Sequence, residues 1–387
     1  MSCNKKHIAF IHKDFPFGGA EKATYDVANF LCNQGYDVTL LVARHHSQLY
    51  PKNAKPLFSF RLLPDENIKS SRKVAKAVRD FVNRHQVDVL VTYRELLYAN
   101  WLKKKTSVKI VYELHSSPYY ECLDIAEKKR DNHFKKIFYS CGVESLLNWF
   151  YRQKYRRIYR WADAYGVLCE SYKNRIVEEL KLSETGNKVW VLPNSTQVVG
   201  EIKWQKHKTI VYVGRLSHRD KRVDRLLRIW QKAQQQLGEW QLKIVGNGKE
   251  KDSLQHLARQ LKLERITFTG HTNNVKNYYD EATALCLTSS FEGWPMSVAE
   301  AQANAVIPIV FDSFLGAKEM ISTPDEGLLI TPFDEDEYAR ELIGLLLDGE
   351  RLKRMQRHVV KKAEGYTMER TGKVWIQMLT HILNDDQ

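Results

Sequence analysis

Short apolar runs alternate with helical patterns along the whole chain. In the first half, Ile8 to Ile11, Val38 to Val42, Phe58 to Leu62, Val89 to Tyr93, Ile110 to Glu113, Ala164 to Leu168 and Val189 to Leu192 read as strands. Periodic stretches between them, notably Ala20 to Asn33 and Arg72 to Arg84, read as helices, the alternation expected of a parallel, doubly wound α/β sheet. Pro193-Asn194-Ser195 breaks the pattern, and the polar stretch to Lys208 reads as a linker. The alternation restarts with Thr209 to Val213, followed by Leu242 to Val245, Ile266 to Phe268, Ala284 to Leu287 and Ile307 to Phe311. Two sheets imply two domains and a cleft, with boundaries expected at 1–198 and 199–370, and a final helix in 371–387. In that helix Val374, Trp375, Met378, Leu379, Ile382 and Leu383 share one stripe, so it must dock on a neighbour. The pattern alone leaves open whether that neighbour is its own domain or the first.

A length of 387 residues and a hydrophobic fraction of 43% support two such cores. The six cysteines are scattered without zinc-like spacing, and several sit in apolar runs as small hydrophobes, which suits a reducing, cytoplasmic location. The N-terminus opens directly into a short strand, with an apolar stretch too brief for a signal peptide or membrane span, so any membrane contact is expected to be peripheral.

The densest chemistry lies in Ser289-Ser290-Phe291-Glu292-Gly293-Trp294-Pro295-Met296-Ser297-Val298-Ala299-Glu300-Ala301. This run crosses from a strand to a helix, the place where open α/β sheets bind ligands. Glu292 falls in the loop and Glu300 in the early helix. Gly293 and Pro295 keep side chains off the backbone, leaving the amides from Trp294 through Met296 to Ser297 to meet an anion. Two carboxylates for sugar hydroxyls beside amides for phosphate describe a nucleotide-sugar pocket, although acidic residues at a plain helix start give the same pattern.

A second crossing, Gly214-Arg215-Leu216-Ser217-His218-Arg219-Asp220-Lys221, places cations where a diphosphate can be gripped, Arg by bidentate bonds and Lys by compact charge. Arg219, Arg222, Arg225 and Arg228 read as a basic, solvated helix start. Gly246-Asn247-Gly248 permits close backbone approach, and a simple turn explains it equally well. Phe17-Gly18-Gly19-Ala20-Glu21 precedes the first helix, whose positive end follows the paired glycines, but it lacks the residues of a P-loop. His115 closes a strand-to-loop crossing, as a site residue or as a structural histidine.

The run Phe291 to Ala301, continuing to Val310, resembles the E-x7-E signature of the retaining family 4 glycosyltransferases, and the resemblance extends over nearly the whole chain. It implies the GT-B fold, two Rossmann-like domains facing a cleft, with the C-terminal helix crossing back to the first. It further implies that Arg215 and Lys221 bind the donor diphosphate, Glu292 the donor-sugar hydroxyls and Glu300 the ribose. The Gly246 loop would lie at the base, Gly18 and Gly19 at the phosphates, and His115 at the reacting sugar. Gly293, Trp294, Pro295 and Met296 complete the implied donor site. The implied reaction retains anomeric configuration, needs no metal and no cofactor beyond the nucleotide sugar, favoured as a UDP-hexose. The D-x-D motif of the other large glycosyltransferase fold is absent, and Asp334-Glu335-Asp336 opens a late helix instead. Ala305-Val306-Ile307-Pro308 and Asp312-Ser313-Phe314-Leu315-Gly316 depart from the common glycine-bearing turns and are similar to a variant among cell-surface polysaccharide transferases.

Charge points to the acceptor. Of the net +14, residues 1–200 carry +13, and Trp149 to Trp161 interleaves aromatic and basic residues at helical spacing. Such a helix suits either an anionic leaflet presenting a lipid-linked glycan or an ordinary packed helix with a solvated basic face. A nucleic-acid binder would also be basic, but no nucleic-acid module accompanies the charge. A non-catalytic glycosyltransferase-like scaffold is disfavoured by the intact Glu292, Glu300, Arg215 and Lys221.

Overall fold

The computed structural model describes residues 5–16, 18–46, 56–131, 143–183, 185–196 and 201–384. Its strands are β1 (His7–Phe15), β2 (Asp37–His45), β3 (Ser59–Leu62), β4 (Val89–Thr92), β5 (Lys109–Leu114), β6 (Ala164–Val167), β7 (Val189–Val191), β8 (Thr209–Val213), β9 (Gln241–Val245), β10 (Ile266–Gly270), β11 (Ala284–Leu287), β12 (Ile307–Phe311) and β13 (Leu328–Ile330). They form a seven-stranded sheet in the order β3-β2-β1-β4-β5-β6-β7 and a six-stranded sheet in the order β10-β9-β8-β11-β12-β13. Every pairing is parallel. Strand order reverses between β1 and β4 in one sheet and between β8 and β11 in the other, so each has a Rossmann-like switch point.

The apolar runs become strands because helices cover both faces of each sheet and leave no wet face for polar residues. Ile8, Ala9, Phe10 and Ile11 are buried essentially completely. β1 continues four residues past its predicted end, and its polar extension pairs Asp14 with Arg44 and Phe15 with His45 of β2. β13, only three residues long, escaped prediction.

The chain separates into two compact units, one of Met1–Pro118, Leu146–Ser195 and Met368–Gln387, the other of Tyr119–Ser145 and Thr196–Thr367. The described residues within Tyr119–Ser145, a segment that sequence places inside the first domain, thus group with the second unit. The expected boundary region near residue 198 lies outside the described residues.

The C-terminal helix Met368–Asn384 is part of the first unit's core. Trp375, Met378, Leu379 and Ile382 pack with Phe10, Val27, Ala28 and Leu31. The helix lies so close to Gly19–Asn33 that a Cβ on Gly372 would fall 2.4 Å from the Phe30 ring. The linker is also fixed. Lys206 Nζ donates to the carbonyls of Tyr279 at 2.8 Å and Asn304 at 2.8 Å, at the C-terminal ends of helices Lys276–Glu281 and Met296–Ala303.

In the basic helix Val143–Trp161, Tyr155, Ile158 and Trp161 are buried, whereas Leu146, Trp149 and Phe150 are 65%, 58% and 56% exposed. Trp149 thus faces out rather than into the core. Burial pushes the Cys286 thiol up to about 12.

Candidate active site

In the second unit the β8 and β11 loops meet at the switch point. Ser290 N–H donates to Asp220 O at 2.8 Å and Thr288 Oγ1 to Arg222 O at 3.0 Å, lacing the loops together. This lacing brings Lys221 Nζ to 2.6 Å from Glu292 Oε1, the oxygen that also accepts from Ser289 Oγ at 2.6 Å. The side chains of Lys221 and Glu292 are only 16% and 9% exposed, so the pair is largely withdrawn from water and its attraction is strengthened. Arg215 is anchored differently. Its guanidinium, 68% exposed, meets Asp220 at 2.8 Å, and its carbonyl accepts from the buried Tyr212 hydroxyl at 2.8 Å. Burial, then the Glu292 and Asp220 carboxylates, push the Tyr212 phenol well up, which keeps it a donor.

The solvated reading of the neighbouring arginines is corrected. Arg222 and Arg225 are 6% and 3% exposed. Arg222 forms a two-pronged pair with Asp224, at 3.0 and 3.1 Å, while Arg225 donates to Ser290 Oγ at 2.9 Å and stacks over Phe333. Arg228 bridges Asp224 and Glu335. Arg219 is exposed but paired with Asp124 at 2.7 Å. Helix Val223–Ala233 is therefore held by buried ion pairs, because Asp224, Glu335 and Ser290 supply acceptors that local sequence does not reveal.

Glu300 lies on helix Met296–Ala303, where Oε2 accepts from the buried Tyr279 hydroxyl at 3.1 Å. Pro295 is the N-cap and provides no side-chain cap to the first-turn amides. Trp294 is 7% exposed and packs edge-on against Tyr366 at 5.4 Å; its indole Nε1 is buried without a hydrogen-bond partner among the described residues. Gly293 and Met296 flank it, both half-buried.

The glycines at 246 and 248 answer to protein backbone. At Gly246, φ is +142°, and a Cβ would fall 1.8 Å from Gly214 O; at Gly248 it would fall 2.1 Å from Leu216 O. The two loops are joined by Leu216 N–H to Asn247 O at 2.9 Å. Close packing onto the Arg215 loop therefore requires glycine here. Asp334, the first residue of the Asp334-Glu335-Asp336 triplet, N-caps helix Glu335–Leu347 by accepting from the Asp336 and Glu337 amides.

The first unit holds the other expected site residues. Phe17 lies outside the described residues. Gly18 and Gly19 lead into helix Gly19–Asn33, and Gly18 sits against the Glu21 carboxylate, which a Cβ would approach to 2.9 Å. His115 follows β5, with Nε2 3.1 Å from Glu113 Oε1. Sequence reading missed its company. Tyr93, after β4, lies tilted against His12 at 4.6 Å, edge-on to His115 at 6.2 Å and reaches Glu21 at 3.5 Å. Burial raises the Glu21 carboxyl above its ordinary value. The available signal was polar residues embedded in apolar strands, His12 in Ile8 to Phe15 and Glu113 two positions before His115 on the same strand face.

The family described as glycosyl transferases group 1 matches residues 197–362, and Glycosyltransferase Family 4 matches residues 17–198. The chain belongs to the family 4 glycosyltransferases. It is similar to an uncharacterized glycosyltransferase of Haemophilus influenzae, 26% identical over 96% of this chain and 99% of that one. An alpha-1,4-N-acetyl-D-galactosaminyltransferase of Campylobacter jejuni, whose name specifies a glycan on undecaprenol diphosphate, is 24% identical over 97% of this chain and 99% of its own length. Anabaena HepE, solved with UDP-glucose, superposes with a TM-score of 0.75 at 14% identity, covering 97% of this chain and 99% of its own. This glycosyltransferase thus has the two Rossmann-like domains of the GT-B fold.

Proposed function

We propose that this glycosyltransferase moves a hexose from a UDP-sugar to a hydroxyl of a lipid-linked glycan during cell-surface polysaccharide assembly, with retention of anomeric configuration and without a metal. The observation that carries the reading is the Lys221–Glu292 pair at the β8/β11 switch point, 2.6 Å apart and largely buried. Lys221 and Arg215 provide the positive charge that the departing diphosphate needs. A preorganised donor of this kind is worth about 3 kcal/mol in the transition state. Glu292, engaged by Lys221 and Ser289 through one oxygen, suits acceptance of sugar hydroxyl bonds better than nucleophilic attack. In the proposed step the bond from the anomeric carbon to the diphosphate breaks and the acceptor oxygen bonds on the same face. The acceptor proton passes to a leaving phosphate oxygen. Glu300, steadied by Tyr279, receives the ribose.

The acceptor class is supported by the Campylobacter relative, named for an undecaprenol-linked glycan, and the donor class by HepE, solved with UDP-glucose. No helix among the described residues is long and apolar enough to cross a membrane. Peripheral contact through the exposed Leu146, Trp149 and Phe150 would bring the enzyme to a lipid-borne substrate. The test is a thermal-shift screen of nucleotide sugars. A ligand at a hundredfold excess over its Kd stabilises the native state by about 2.7 kcal/mol. A rise in Tm with one or more UDP-sugars is expected, and no rise with any nucleotide sugar would overturn the reading.

A further inference from the structure

We propose that Glu113 is a positioning residue for His115: from within β5 it grips one ring nitrogen and leaves the other, buried and without a partner among the described residues, to meet a hydroxyl of the reacting sugar. The proposal rests on the transferase reading above and on the family resemblance, which implies a place for His115 at that sugar.

Glu113 is out of place as a strand residue. β5 reads Lys-Ile-Val-Tyr-Glu-Leu, and Glu113 is 5% exposed, where a carboxylate is tolerated only if it is paired. The sheet makes room for it. Its register partner on β6 is Gly166, where a Cβ would stand 3.4 Å from Glu113 Cγ and 2.7 Å from Leu192 Cδ1. The carboxylate then meets His115 Nε2 at 3.1 Å, with the side chains 7% and 9% exposed. His115 Nδ1 is also buried and has no hydrogen-bond partner among the described residues. A buried ring held at one nitrogen and unsatisfied at the other is arranged for a ligand atom.

The surrounding charges decide its protonation. Facing the ring are Glu113 from β5, Glu21 from helix Gly19–Asn33, His12 from β1 and Tyr93 following β4, while Arg94 acts on His12 and Glu21. Burial by itself lowers the affinity of His115 for its proton, but the charge and hydrogen bond of Glu113, reinforced by Glu21, outweigh it and raise the pKa. His12 goes the other way, down to about 3, through burial and then the positive charges of His115 and Arg94. Of two neighbouring imidazoles, one retains its proton and the other stays neutral. In the protonated ring, Nδ1–H is a fixed donor to a sugar oxygen, while Nε2–H donates to Glu113.

The test uses the full chain labelled with 15N-histidine, as wild type and as Glu113→Gln, titrated from about pH 5 to about pH 9 by NMR. The His115 signal is assigned by its loss in His115→Gln. Wild-type His115 is expected to titrate above its ordinary value, and Glu113→Gln to lower the midpoint by about one unit or more. In the neutral variant ring the proton should move from Nε2 to Nδ1, because the glutamine amide can donate to Nε2. An unmoved midpoint would overturn the proposal. If Glu113→Gln fails to fold, Glu113→Asp tests the same contact through a shortened arm, with a lowered midpoint in support and an unchanged one against. A parallel assay follows UDP release from UDP-glucose. The high-pH limb of kcat should shift to lower pH with the NMR midpoint, at little change in KM. A wild type that releases no UDP while the NMR midpoint still moves counts against the transferase reading and supports the Glu113–His115 contact.

Discussion

Lys221 does two things that a single substitution separates. It balances Glu292 in a nearly dry setting, and it is the cation assigned to the leaving diphosphate. Lys221→Ala should therefore lower kcat at least about tenfold with a native donor, since each 1.4 kcal/mol of lost transition-state stabilisation is a factor of ten. It should also cost about 2 kcal/mol of stability through the unpaired Glu292 carboxylate. Steady-state kinetics and denaturant unfolding on one preparation measure both, and unchanged turnover would remove Lys221 from the leaving-group role. His12 makes a prediction about pH. Its value falls from 6.5 unfolded to about 3 folded, so between those pH values the unfolded chain binds the extra proton. Stability contributed by the neutral ring is present above 6.5 and lost as pH falls towards 3. His12→Gln should flatten this acid loss, as read from Tm against pH, and parallel wild-type and variant slopes would contradict it.

At the scale of elements, the loop after β9 offers a sharp discrimination. If Gly246 exists to let a nucleotide base approach, Gly246→Ala weakens ligand binding and leaves the unliganded protein intact. If it exists because the Gly214 carbonyl occupies the space of a Cβ, the same change destabilises the empty protein. A positive φ and a 1.8 Å clash favour the second, with an expected loss of about 3 kcal/mol by denaturant unfolding, and a wild-type midpoint would restore the first. The same contrast shows what sequence reveals. Strands β8 and β12 were predicted to the residue, because a run such as Thr209 to Val213 between turn signals states its own length. The meeting of Lys221 with Glu292 was legible as far as both lie on strand-to-helix crossings, which the apolar runs before them mark out. The burial of Arg222 and Arg225 was hidden, since it depends on partners as distant in sequence as Ser290 and Phe333. The cluster around His115 was hidden for the same reason, with His12, Glu21, Tyr93 and Glu113 drawn from four separate elements.

For the whole molecule, the basic excess of the first half and the exposed apolar side chains of helix Val143–Trp161 make different claims on a membrane. Arg152 pairs with Glu179 at 2.7 Å and Arg157 pairs with Glu95, so part of the helix's charge is already answered within the protein. Leu146, Trp149 and Phe150, at positions i, i+3 and i+4, are the groups that would enter a leaflet. Replacing Trp149 and Phe150 by Ser should reduce co-sedimentation with phosphatidylglycerol vesicles by roughly fivefold or more, a larger effect than replacing Arg152 and Arg157 by Gln. Equal sedimentation of wild type and the double-Ser variant would leave that surface simply solvated.

The C-terminal helix carries the last whole-molecule consequence, because the chain finishes the second unit before returning to complete the core of the first. Trp375 is 1% exposed, lies 6.0 Å from the Phe10 ring and sits in the cluster that joins the helix to β1 and helix Gly19–Asn33. Truncation to alanine removes a large aromatic side chain from a closely packed interior, at a cost of about 3–5 kcal/mol. That loss should fall on the first unit alone, since every named partner of Trp375 belongs to it. Trp375→Ala is therefore expected to lower the unfolding transition of the first unit, followed by amide exchange in β1 and β2, while exchange protection in β8, β11 and β12 stays near wild type. Uniform loss of protection across both sheets would mean that the two units unfold as one, and that the returning helix stabilises the whole enzyme rather than the sheet it covers.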